Sequence, residues 1–178
     1  DTSADPYLGD KPGDVTKVTT SKLAGIPLAL ADGRVMLWDT AKDGERWVSR
    51  AVFSKDNGLT WSDTMRLFEF PRREKAQWTG GAALLDNKGY IHLFGLEYYQ
   101  FDFKDRSRAK SPLWHARSRD NGKTWDAMQN VPFGFGYTGS SNNAFQSGTG
   151  RIFAPLSALS NRKIGVWVGL CPYSDDNG

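Results

Sequence analysis

One cysteine, Cys171, is all the thiol in the chain, so no internal disulfide can form and the count leaves the compartment open. The two histidines, His92 and His115, lack a carboxylate at ligand spacing, so no metal and no other cofactor is expected. No apolar run approaches the roughly 20 residues that a membrane helix needs. The opening Asp1-Thr2-Ser3-Ala4-Asp5-Pro6 has neither a basic segment nor an apolar stretch, so a signal peptide is expected to be absent or already removed. Charge of one sign is scarce. Lys+Arg 23 against Asp+Glu 20 leaves +3, too little to argue for a nucleic-acid partner. Convincing helical periodicity is missing throughout.

Glycine and aromatics are abundant instead, with Gly 19 and Trp 7 in 178 residues, a composition of short strands and tight turns. An internal repeat organises them. Ser54-Lys55-Asp56-Asn57-Gly58-Leu59-Thr60-Trp61 recurs as Ser118-Arg119-Asp120-Asn121-Gly122-Lys123-Thr124-Trp125. The start of a third copy is Ser174-Asp175-Asp176-Asn177-Gly178. The serines stand 64 and 56 residues apart, a period of propellers and solenoids. A β-rich run precedes each copy (47–53, 113–117, 164–170), and a hairpin signal lies upstream of each. The hairpin turns fall at Ala31-Asp32-Gly33, Asp86-Asn87-Lys88-Gly89 and Ser147-Gly148-Thr149-Gly150. A short fourth strand such as 65–70 follows. Four antiparallel strands per repeat make a propeller blade. The chain is therefore expected to be all-β, a single partial β-propeller domain over 1–178. Its blades fall at about 22–71, 78–133 and 139–178, the last incomplete.

The octapeptide suits a hairpin between third and fourth strands. Asn-Gly tolerates positive φ, the aspartate accepts hydrogen bonds from the turn, and the tryptophan buries its ring between sheets. Asp-Asn-Gly also opens calcium loops, but the later acidic ligands of such loops are missing.

The octapeptide resembles the Asp box, Ser-x-Asp-x-Gly-x-Thr-Trp, of the sialidase (neuraminidase) superfamily, also called the BNR repeat. The matching residues are Ser54, Asp56, Gly58, Thr60 and Trp61; Ser118, Asp120, Gly122, Thr124 and Trp125; and Ser174, Asp176 and Gly178. The resemblance implies a propeller of six blades when complete, so further blades of a parent chain are expected as partners. It makes the boxes structural and places them on the face opposite the sugar site. Sialidases open the first blade with Arg-Ile-Pro, a hairpin and a loop bearing an acid/base aspartate. Here Gly25-Ile26-Pro27 leads to Leu28–Trp38 and then Ala41-Lys42-Asp43-Gly44-Glu45. Residues 139–155 are similar to the family's third-blade entry strand. The resemblance implies Asp43 as acid/base, with Glu45 as the fallback carboxyl. Glycine at 25 stands where the first of three carboxylate-gripping arginines belongs, which puts sialic acid itself in doubt.

Two segments are expected on the sugar-facing side. The connection into the second blade carries Arg72, Arg73, Lys75 and Trp78, and the long loop over about 97–111 carries Tyr98, Tyr99, Arg106 and Arg108. Aromatic faces stack on sugars and basic groups hold carboxylate or sulfate, so these residues are candidate contacts, with Asn143 as a polar one. The two mid-strand histidines read as satisfied sheet residues. The leading expectation is an exo-acting glycoside hydrolase on terminal, acidic sugars of a glycan, in a secreted, periplasmic or cell-surface setting. The alternatives are a non-catalytic carbohydrate-binding propeller, which the glycine at 25 favours, and a polysaccharide lyase, for which neither histidine is well placed.

Overall fold

The computed structural model describes residues 23–99, 110–134, 138–141, 143–161 and 165–178. Among them there is no helix. The first sheet runs β1 (Ile26–Ala29), β2 (Val35–Asp43), β3 (Arg46–Ser54) and β4 (Met65–Glu69), paired in chain order and antiparallel throughout. The second repeats it with β5 (Gln77–Leu85), β6 (Ile91–Tyr98), β7 (Leu113–Ser118) and β8 (Gln129–Val131). These are two four-stranded propeller blades, as the hairpin signals predict.

The third unit departs from the expected run of single strands. Its first three strands are each broken in two: β9 (Thr138–Ser140) and β10 (Phe145–Gln146), β11 (Ile152–Phe153) and β12 (Leu156–Asn161), β13 (Val166–Leu170) and β14 (Tyr173–Ser174). The pieces form two three-stranded ladders, β10-β11-β14 and β9-β12-β13. Pro155 and Pro172 stand at two of the breaks, where a residue without an N–H interrupts the ladder. The carbonyl of Pro172 still accepts from the Ala154 N–H at 3.0 Å, which ties the broken strands together.

All three units share one register. The serine of each octapeptide lies opposite an apolar residue at the start of the second strand: Ser54 opposite Val35, Ser118 opposite Ile91, Ser174 opposite Ile152. The turn that follows has the same construction. Ser54 Oγ donates to Asp56 Oδ1 (2.8 Å) and accepts the Gly58 N–H (2.7 Å). Asp56 in turn accepts from the Thr60 N–H (2.8 Å) and hydroxyl (2.6 Å). Ser118, Asp120, Gly122 and Thr124 reproduce each bond to within 0.1 Å. Asn57 and Gly58, Asn121 and Gly122, and Asn177 and Gly178 all take positive φ in succession. Asparagine and glycine tolerate that backbone best.

The sheets stack through two apolar cores. Leu30, Met36, Trp38, Ala51 and Phe53 of the first meet Ile91 and Leu93 of the second. On the opposite face of the second sheet, Ala82, Phe94, Leu96 and Leu113 meet Ala144, Ile152, Ala154, Leu156 and Ala158 of the third unit. Strand alternation makes this possible, because neighbours along β6 point to opposite cores. The rings of Trp61 and Trp125 were expected to be buried, and both are instead half-buried. Trp125 lies against Phe68 of the first sheet at 5.4 Å, so it shields the edge of the first core rather than filling it.

Ser54→Ala leaves the buried Gly58 N–H without its acceptor and removes a donor from Asp56. The expected cost is about 1–3 kcal/mol, read as a lowered urea midpoint. An unchanged midpoint would show that the turn holds its shape without the hydroxyl.

Candidate functional site

The β2–β3 hairpin closes with only Gly44 and Glu45, Gly44 taking positive φ, and so extends the first sheet as a tight ribbon. Asp43 is the last residue of β2, opposite Arg46. Its side chain is 66% exposed and lies 3.7 Å from Arg66. The described residues leave this carboxyl exposed. Glu45 is exposed and pairs with Arg72 at 3.1 Å. Arg66 is shared with Glu69 (2.5 Å), which also holds Arg46 (2.6 Å). Acids and bases therefore alternate across this end of the sheet. Exposed pairs of this kind contribute little to stability, but they neutralise one another.

The connection into the second sheet is more firmly held. Arg73 donates to Glu97 at 2.6 Å and lays its guanidinium over the Tyr99 ring at 4.2 Å. Glu97 is 1% exposed and also accepts from the Trp114 indole N–H at 3.2 Å. A buried carboxylate needs such partners. Arg73 thus has its charge engaged by Glu97, and one face of Tyr99 is covered. Lys110 lies 5.9 Å from the same ring. Trp78, expected as a surface for sugar stacking, is instead buried, stacked on Phe70 at 4.3 Å and tilted against Trp114 at 5.9 Å. It is a wall of the fold, because it is the second residue of β5, opposite Glu97 in β6. Tyr98 packs against the second core. Asn143 is exposed beside Ser140, Leu156 and Ser157. Arg106 and Arg108 lie outside the described residues.

Gly25 is a demand of the backbone. A Cβ built there would fall within 2.8 Å of the Trp38 carbonyl carbon and closer still to its oxygen. Any side chain at 25, arginine included, requires the β1–β2 pair to shift.

A buried polar chain crosses the second sheet. Asp86 Oδ1 accepts the Lys88 and Tyr90 N–H groups (2.9 and 2.7 Å), while Oδ2 lies 3.3 Å from His92 Nε2. His92 Nδ1 lies 2.9 Å from His115 Nε2. His92 has a partner at each ring nitrogen and His115 has one at Nε2. If Asp86 accepts from Nε2–H, then His92 Nδ1 accepts from His115 Nε2–H, and His115 Nδ1 is left as an acceptor. Burial lowers the pKa of His92. It pushes His115 down to about 3, helped by the charges of His92 and Arg117. Sequence reading missed this chain and the Glu97–Arg73 contact. Aligning β6 with β7 by their turn residues would have placed His92 diagonal to His115. Among the described residues no group of three or more His, Cys, Asp or Glu is arranged to hold a metal ion.

No protein-family model matches the chain, and no curated protein matches it. Solved structures do. A protein of unknown function from Dyadobacter fermentans superposes with TM-score 0.67 at 15% identity, covering 86% of this chain and 51% of that one. The Hadza microbial sialidase Hz136 gives 0.65 at 16%, covering 86% and 35%. The NanB sialidase from Streptococcus pneumoniae gives 0.52 at 13%, covering 92% and 46%. The chain thus spans between about a third and a half of the length of these structures. Its fold is that of sialidase-like propeller blades.

Two measurements check this geometry. Gly25→Ala is expected to lower stability by about 1–3 kcal/mol in urea unfolding, the cost of overpacking against backbone; wild-type stability would show that β1 yields. The second concerns pH. The folded pKa values of the histidines lie below their ordinary 6.5, so the unfolded chain takes up protons first. Their stabilising effect is complete above about pH 6.5 and is lost as pH falls toward 3. Asp56 and Asp120, held at about 2 by the hydroxyls of Thr60 and Thr124, lose theirs only below the ordinary 3.8. The urea midpoint should therefore fall between pH 7 and 5. A flat profile over that interval would mean that the histidines are charged or open in the native state.

Proposed function

We propose that the chain forms part of a sialidase-fold glycoside hydrolase that removes terminal, acidic sugars from a glycan, with Asp43 as the general acid/base. The supporting observation is the placement of Asp43, Glu45, Arg66 and Arg72 at one end of the first sheet, opposite the octapeptide turns. An acid/base at that hairpin end would protonate the departing oxygen and then activate water. Glu45 and Arg72 would line the approach, with Tyr99 and the neighbouring Lys110 as further contacts. The nucleophile and the remaining basic groups would come from blades outside these 178 residues, and such an enzyme would act in a secreted, periplasmic or cell-surface setting.

A second reading has its own observation. The backbone at Gly25 admits no arginine, so one arm of the grip on a sialic carboxylate is missing from this chain. That favours a carbohydrate-binding propeller without catalysis, or a hydrolase for a different acidic sugar.

Asp43→Asn in the full-length protein separates these. It should leave folding intact and lower turnover about 10²–10⁴-fold on natural glycans, with a smaller loss on nitrophenyl glycosides, whose leaving group needs less protonation. Arg72→Ala should instead weaken binding, most for carboxylated or sulfated sugars. Unchanged turnover of Asp43→Asn on both substrate types would remove Asp43 from the mechanism. Saturable glycan binding without turnover would leave the binding propeller.

A further inference from the structure

Arginine side chains at the Asp43 end of the sheets are held in two ways. Arg46, Arg66 and Arg72 pair with the exposed carboxylates of Asp43, Glu45 and Glu69. Exposed pairs of that kind hold a side chain weakly. Arg73 is anchored on a buried carboxylate instead. Its Nε donates to one oxygen of Glu97, whose other oxygen accepts from the Trp114 indole, and its guanidinium lies over the Tyr99 ring. One edge and one face of the guanidinium are therefore fixed. The side chain is still 46% exposed, and among the described residues neither Nη group has a hydrogen-bond partner. A planar fork in a set orientation, with N–H groups unspent, is what two-point recognition of a carboxylate requires.

The repeat says where this fork stands. Tyr99 lies eight residues past Ile91, as Asp43 lies eight past Val35, and Ile91 and Val35 each pair with the octapeptide serine of their own sheet. Tyr99 pairs with Lys110 in the second sheet as Asp43 pairs with Arg46 in the first. The ring under Arg73 thus holds on the second sheet the place that Asp43 holds on the first. Lys110 lies 5.9 Å from the same ring and has no acidic partner among the described residues. Two cations against one buried carboxylate leave this place with a net positive charge. We propose that Arg73 and Lys110, set about the Tyr99 ring, form a site for the carboxylate of an acidic sugar unit. Arg73 determines the specificity, Glu97 and Tyr99 position it, and Lys110 supplies the second charge. The inference rests on the glycan reading above, but not on Asp43 as acid/base.

The probes are methyl thioglucuronide, methyl thioglucoside and the sulfate ester of that glucoside, thioglycosides being chosen because they resist turnover. Each is titrated into the full-length protein, and saturation-transfer NMR gives its Kd. The wild type should bind the thioglucuronide at least about tenfold more tightly than the neutral thioglucoside, and more tightly than the sulfate ester. Arg73→Lys keeps the charge and a donor for Glu97 but loses the fork, and should bring the preference for the carboxylate within about threefold. Lys110→Gln lies outside the buried network and should lower the preference by about threefold, which keeps the test open should Arg73→Lys fail to fold. Near-ultraviolet circular dichroism checks the fold of both. Equal affinity of the wild type for thioglucuronide and thioglucoside, tighter binding of the sulfate ester, or an undiminished preference in either folded variant would overturn the proposal. Binding of none of the sugars would overturn the glycan reading itself, and this inference with it.

Discussion

One serine hydroxyl per unit does most to set the geometry. It sits at the end of the third strand, buried in the first two units, and does two jobs at once: it accepts the glycine N–H of a turn whose two residues take positive φ, and it donates to the aspartate, which in the first two units closes the turn on a threonine. With the turn locked, the fourth strand starts at one place and the second strand has one register. A slip of one residue would reverse every side chain on the sheet, sending Phe94 to the first core and Leu93 to the second. The two cores, and the stacking of the units, depend on that register.

This is why so much of the fold was legible. The octapeptide is local, its residues are chosen by φ and hydrogen bonding, and its spacing sets the length of a unit. The turns at 31–33, 86–89 and 147–150 are equally local. What escaped were features decided by partners distant in sequence. Trp78 looked like a connector residue free to meet a ligand, yet it is enclosed by Phe70 and Trp114. Glu97 looked like the edge of a polar loop, but its carboxylate is buried under Arg73. Two of the three breaks in the third unit had a local cause, Pro155 and Pro172, that the repeat pattern outweighed.

The candidate site shows the same division. Its place followed from strand direction, since the β2–β3 turn must lie opposite the β3–β4 turn. Its chemistry does not follow from place. Asp43, Glu45, Arg66 and Arg72 pair with one another, so the surface offers both signs of charge in alternation instead of a cluster of free cations. A substrate anion would have to displace a carboxylate to reach an arginine there. Gly25 adds a steric term to this electrostatic one, because the carbonyl of Trp38 occupies the space of a side chain. At 13–16% identity the shared feature is the fold, and the fold does not fix the chemistry of its surface.

The two interfaces show what the repeat tolerates. Met36 and Ala51 in the first sheet become His92 and His115 in the second, with no change of register. Burying two imidazoles costs more than burying a thioether and a methyl, unless each ring nitrogen within the sheet has a partner. Asp86 supplies the first partner, and it is available because its other oxygen is already anchored by the 86–89 turn. The turn aspartate therefore shapes the hairpin and orients the first imidazole, and the first imidazole orients the second. Local turn chemistry reaches the interface between units through two hydrogen bonds, and it replaces an apolar contact with one that has direction.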